Sequence, residues 1–162
     1  MKTAVVVGNP KAKSRTLDAG ILVAKKLTGA EPDMVLDLIE LGGGLLEYGN
    51  AAVTDWVQKI QGCDIVVFAC PTYKASYTGL LKLFLDQFPT DGLAEVTAFP
   101  VMLGAGPAHA LAPDLLLKPV LVELGACCPA VGLYLIDKTF AEDPKLDSWA
   151  ERAKKRLPTV AR

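Results

Sequence analysis

The sequence holds a single histidine, His109, among 162 residues, and its four cysteines (Cys63, Cys70, Cys127 and Cys128) contain no C-x-x-C pair. The common Cys/His zinc patterns are therefore excluded, and no metal site is expected. Adjacent cysteines such as 127 and 128 rarely reach disulfide geometry without strain, so reduced core thiols in a cytoplasmic protein are the expectation. No apolar run reaches the roughly 18–20 residues that span a bilayer, and no leader-like segment opens the chain, so neither membrane insertion nor export is expected. Charge of one sign is lacking too. Lys and Arg number 17 against 18 Asp and Glu, a formal net charge of -1. Such a chain has no broad field for nucleic acid or an anionic membrane, and any anion site must be local. Repeats, low-complexity stretches and linkers are absent as well, and 162 residues suit one domain over 1–162.

What is present is a regular alternation. Ala4 to Val7 is a short β-branched run stopped by Gly8, and Arg15 to Leu27 carries apolar residues at helical spacing up to Gly29. Met34 to Ile39 predicts a second strand, followed by the loop GGGLLEYGN, with a helix from Ala51 to Ile60. CDIVVFAC, residues 63–70, is apolar almost throughout, the mark of a strand covered on both faces. Tyr77 to Phe88 reads as a helix and VTAFPVMLG as a fourth strand. His109 to Leu124 is a long helix interrupted by Pro113 and Pro119. AVGLYLID is a fifth strand, and Leu146 to Leu157 a last, more charged helix. Five such alternations predict an α/β fold of three layers, a doubly wound five-stranded parallel sheet in the flavodoxin-like order 2-1-3-4-5. Its ligand site would lie beyond the carboxyl ends of strands one, three and four.

The three loops at those ends read GNPKAKSRT, PTYKASYTG and GAGPAH. In the first, Gly8 allows a tight turn. The following amides with Asn9, Ser14 and Thr16 can donate to an anion, and Lys11, Lys13 and Arg15 add charge beside the positive end of a helix. The same residues also fit a plain helix cap with solvated lysines. Walker A spacing and G-x-G-x-x-G are both missing, and Asp37 falls inside the expected second strand, so no acidic residue ends it to hold a dinucleotide ribose. In the second loop Pro71, Thr72 and Tyr73 offer amides and a flat ring to a planar heterocycle, or simply a helix-entry turn with Tyr77 as packing. In the third, Gly104 and Gly106 permit close approach of backbone to a ring.

Together GNPKAKSRT, PTYKASYTGLLKLFLD and LGAGPAHALAPDLLLKPVLVELGA resemble the NADPH-dependent FMN reductase family, flavodoxin-like proteins that include the flavin reductases of alkanesulfonate monooxygenases. The P-x-Y-x-x-S-x-x-G-x-L-K element is the most specific part of the likeness. The resemblance implies FMN phosphate at Asn9, Lys11, Ser14, Arg15 and Thr16. It implies isoalloxazine contacts from Pro71, Thr72, Tyr73 and Lys74 and from the loop Gly104, Ala105 and Gly106. NADPH or NADH would be the reductant, and a small-molecule acceptor or a flavin-dependent monooxygenase the recipient. It also implies a homodimer or homotetramer with the Tyr77–Phe88 helix near the contact, where Leu80, Leu81, Leu83, Phe84 and Leu85 cover more than one face. Some two-component relatives place a Tyr where this sequence has Leu115, a departure that points towards retention of FMN through the cycle.

Hydride chemistry belongs to flavin and nicotinamide, so no catalytic side chain is expected. Main-chain amides of the second and third loops, with Lys74, would stabilise the reduced ring edge. His109, in the first turn of its helix, is expected as a cap or a nicotinamide-side contact. The rival readings are an FMN-retaining quinone or azo reductase and a non-enzymatic flavin electron carrier. The carrier reading lacks the acidic docking surface such proteins use.

Overall fold

A computed structural model describes residues 1–157; residues 158–162, the tail of the expected 1–162 domain, lie outside the described residues. Five strands, β1 (Thr3–Val7), β2 (Met34–Asp37), β3 (Ile65–Pro71), β4 (Thr97–Gly104) and β5 (Leu133–Ile136), form a parallel sheet in the order β2-β1-β3-β4-β5. The expected topology is the observed one. All side chains of β1, β3 and β4 are buried, which is why these runs are apolar without alternation.

Successive strand residues point to opposite faces, and each face builds its own core. Val5, Val7, Val67, Ala69, Phe99 and Val101 meet α1 (Arg15–Thr28) and α5 (Pro144–Lys154) through Val23, Leu27 and Trp149. Val6, Val66, Phe68, Cys70 and Met102 face the other way. They pack on α2 (Ala51–Gln61), α3 (Gly79–Leu85) and α4 (Lys118–Glu123) through Val57, Ile60, Leu81, Phe84 and Leu121. Each fully buried Phe on these faces contributes about 1.5–3 kcal/mol of burial. Pro100 is tolerated inside β4 because pairing with β5 begins only at Val101.

Several boundaries differ from the sequence reading, each for a local reason. β2 ends at Asp37 rather than Ile39, so an acidic residue does close this strand; Leu38–Leu46 continues as 3-10 turns kinked at Gly42. α3 starts at Gly79, two residues after Tyr77, because Thr78 is its cap and accepts the Leu81 N–H. The long helix expected over 109–124 is instead a 3-10 turn (Pro107–His109), a π turn (Pro113–Leu117) and α4. Pro119 has no N–H to offer the carbonyl four residues back, and the turn widens so that Lys118 N–H reaches Pro113 O. His109 therefore ends a short turn rather than opening a helix. The last helix runs from Pro144 to Lys154, capped by Asp143.

Cys63 and Cys70 are buried as expected, but Cys127 is exposed and Cys128 half-buried. Cys127 bonds through its backbone to Val96 and Ala98 at the start of β4, which leaves its side chain outside the core.

Candidate functional site

The loop leaving β1 is held from both sides. Gly8 N–H donates to Ala69 O (2.8 Å), and Thr78 Oγ1 donates to Gly8 O (2.6 Å), tying the loop to the start of α3. A side chain at Gly8 would put its Cβ 2.6 Å from Leu81 Cβ, so only glycine lets α3 approach this closely. Asn9 then closes the loop on itself: its Oδ1 accepts from Lys11 N–H (2.9 Å) and its Nδ2 donates to Thr16 Oγ1 (2.9 Å). Lys13 adopts a left-handed conformation (φ 51°), which costs a non-glycine residue about 1–2 kcal/mol. Asp37 Oδ2 stabilises this bend by accepting the Lys13 N–H (3.2 Å). Burial is the main influence on the Asp37 carboxyl and raises its pKa, against the Lys13 hydrogen bond, which lowers it.

Ser14 caps α1, its Oγ accepting the Leu17 N–H (3.3 Å). A hydroxyl that accepts here still has its own proton to donate, and the first N–H groups of a helix have no partner within it. The cap and the anion-site readings of Ser14 are thus compatible. Thr16 likewise accepts from Asn9 and retains its proton.

The three loops converge as the strand order requires. A cleft of about 370 Å³ is lined by Asn9, Lys11, Lys13, Ser14, Arg15 and Thr16 from the first loop, Pro71, Thr72 and Tyr73 from the second, and Leu103, Gly104 and Ala105 from the third. Asp18 and Asp137 complete it. Thr72 N–H donates to Leu103 O (2.7 Å), while its buried hydroxyl has no partner. Among the described residues, three buried side-chain polar atoms go unsatisfied: Thr72 Oγ1, Asp37 Oδ1 and Asp137 Oδ1. All three line this cleft or back its first loop. Buried polar atoms are otherwise almost always paired, so Thr72 Oγ1 and Asp137 Oδ1 leave this cleft with hydrogen-bonding capacity to spare.

Three expected site residues stand outside this cleft. Lys74, with Ala75, forms the left-handed middle of a tight turn (φ 49° and 66°) that Tyr73 and Ser76 close with two reciprocal backbone hydrogen bonds. Gly106 offers its carbonyl to Tyr134 Oη (2.8 Å). His109 lines a neighbouring, more apolar cavity of about 370 Å³ with Ala75, Leu111, Leu115 and Leu116. The glycine requirement at 104 also has a different cause from the one expected: a Cβ there would lie 1.8 Å from Tyr134 Oη, so Gly104 makes room for a tyrosine. Sequence reasoning missed Asp137, which pairs with Arg15 (Nη2 to Oδ2, 2.9 Å). The signal was available, since an acid directly after a fifth strand beside the fourth must sit at the same end of the sheet.

A doubly wound sheet in this order, with a helix start after β1 and the loops after β3 and β4 meeting at one cleft, defines a flavodoxin-like protein. The family model for NADPH-dependent FMN reductase matches residues 1–141, and the chain belongs to that family. It is accordingly an oxidoreductase that works with FMN and NADPH or NADH. It is similar to the FMN reductase (NADPH) of Escherichia coli K12, at 29% identity over 94% of this chain and 78% of the relative. The NADH-dependent FMN reductase SfnF of Pseudomonas fluorescens is 28% identical over 97% of this chain and 87% of its own. The solved apo structure of the NADH:FMN oxidoreductase EMOB superposes with a TM-score of 0.86, at 27% identity over 98% of this chain and 91% of that one.

Proposed function

We propose that the cleft beyond β1, β3 and β4 holds FMN, and that the protein reduces it with NADPH or NADH and passes the reducing equivalents to free flavin or a flavin-dependent monooxygenase. The observation that carries this reading is the meeting, in one cleft, of the α1 start with the unpartnered Thr72 hydroxyl and the exposed Tyr73 ring. Those residues fit a ligand with an anionic end and a planar polar end.

FMN supplies the hydride acceptor when bound. The chain's own residues bind and orient. Ser14, Thr16 and the first-turn amides of α1 donate to the phosphate, with Lys11 and Arg15 adding charge and Asn9 bracing the loop. Pro71, Thr72 and Tyr73 flank the ring, and Ala105 with the Gly104 backbone forms the opposite lip. Lys74 and Gly106, outside the cleft wall, shape its ring end through the 73–76 turn and the Tyr134 bond. His109 and its apolar cavity lie on the nicotinamide side. No side chain acts as acid or base in this reading. The protein works in the cytoplasm as a homodimer or homotetramer; the half-buried Leu80 and Leu83 on α3, and the apolar groove of Leu85, Val120 and Leu124, support a contact there.

A second reading, retention of FMN with transfer to a quinone or azo compound, draws support from exposed Leu115 on the π turn, at the position where some two-component relatives carry Tyr. Oxidation of NADPH and NADH by purified protein, with and without added FMN and with bound flavin measured, separates the two. A nearly colourless protein that requires added FMN supports delivery, and a yellow one that turns over a quinone without it supports retention. No oxidation in either arm refutes both.

A further inference from the structure

We propose that Asp137 is a positioning residue that competes with the flavin phosphate for Arg15 and so keeps FMN exchangeable. This rests on the reading of the cleft as an FMN site. Arg15 is the first residue of α1, where the helix's unpaired N–H groups lie, and its Nη2 is 2.9 Å from Asp137 Oδ2. Both ends of the pair are anchored. The Arg15 backbone belongs to the capped helix start, and Asp137 N–H donates to Gly104 O (2.9 Å) on the cleft rim. Both side chains line the cleft.

The carboxylate is poorly served by anything else. Its Oδ1 is buried with no partner among the described residues, and its Oδ2 pairs with the half-exposed Arg15 guanidinium. A guanidinium held at the β5 end in this way has its charge partly offset by the carboxylate. A phosphate arriving at the α1 start must share it or take it from Asp137, beside a like charge. The remaining charges facing this end of the cleft are Lys11, Lys13 and Asp18. Asp18, three residues on along α1, adds a second carboxylate on the Arg15 side, while Lys11 and Lys13 add positive charge from the loop; the Arg15 ion pair itself is made with Asp137. Affinity for the phosphate is then set by a carboxylate built into the site, which suits an enzyme whose flavin must come and go.

The test measures dissociation constants for FMN and for riboflavin, which lacks the phosphate, in flavin-free wild type, Asp137→Asn, Arg15→Ala and the double variant. Asn keeps the shape and one oxygen acceptor while removing the charge. The expected result is FMN binding about tenfold tighter in Asp137→Asn, with riboflavin within about twofold of wild type, and a clearly smaller tightening by Asp137→Asn once Arg15 is Ala, the remainder being the direct repulsion between carboxylate and phosphate. FMN affinity unchanged or weakened in Asp137→Asn, with riboflavin unaffected, overturns the competition. Equal weakening for both ligands overturns it too, by showing that Asp137 only supports the cleft. Should wild type bind riboflavin as tightly as FMN, the phosphate reading of the loop fails first and the inference with it.

Discussion

Ser14 joins two roles that one substitution pulls apart. Its Oγ caps α1 through the Leu17 N–H, and its proton points to the phosphate in the proposed complex. Ser14→Asp keeps a good cap and places a negative charge at the positive end of the helix. Ser14 is buried, so the cost of burying a larger charged side chain offsets the gain from the dipole, and stability should change by less than about 1 kcal/mol either way. The same carboxylate would stand about 4 Å from a bound phosphate, where two unit charges repel by about 4 kcal/mol at an effective dielectric of about 20. The open cleft and salt reduce this, and a loss of at least about 2 kcal/mol, roughly 30-fold in FMN affinity, is a conservative expectation. Ser14→Ala serves as the control, losing about 1 kcal/mol of stability with the cap and a comparable amount of FMN binding with the donor. Urea unfolding reads the first quantity and flavin fluorescence quenching the second. A folded Asp variant that binds FMN within about threefold of wild type would refute the reasoning, leaving Ser14 as a helix cap alone.

Gly104→Ala should cost about 1–3 kcal/mol in urea unfolding and weaken FMN, since its Cβ must displace the Tyr134 hydroxyl from 1.8 Å; Tyr134→Phe should not rescue it, because a ring carbon still lies at 2.7 Å. Asp37→Asn should stabilise the protein at neutral pH. Burial holds the native Asp37 pKa above 3.8, so ionisation disfavours the folded state as pH rises past 3.8, fully so above the native pKa. The gap between variant and wild type, followed by urea unfolding across pH, should therefore close as pH falls from the native pKa towards 3.8. Alkylation at about pH 8 should label exposed Cys127 first and spare Cys63 and Cys70 until urea is added, because desolvation pushes those thiols up to about 11 and about 12. Mass spectrometry of the labelled peptides reads the order.

Much of this fold was legible because the three inner strands β1, β3 and β4 are nearly unbroken apolar runs, and such runs separated by helical spacing leave few topologies. Strand order in turn predicted which loops meet, and ten of the twelve residues expected to hold the cofactor do line one cleft. What stayed hidden depends on contacts between distant segments. Nothing near Gly104 reveals that Tyr134 fills the space above it, and nothing near Lys13 reveals Asp37 beneath it. The 109–124 segment carries its prolines openly, but whether a proline bends, ends or widens a helix is decided by packing. Here Asp114 holds the Gly132 N–H and Lys118 the Ala130 carbonyl, docking the π turn on the loop before β5.

The most direct test of the central claim is a crystal structure of the protein with FMN. The account predicts the phosphate at the first turn of α1, within hydrogen-bond reach of Ser14 Oγ, and the ring between Tyr73 and the Gly104–Ala105 backbone with Thr72 Oγ1 newly bonded. A phosphate seated away from α1, or a flavin in the cavity beside His109 with the main cleft empty, would contradict it.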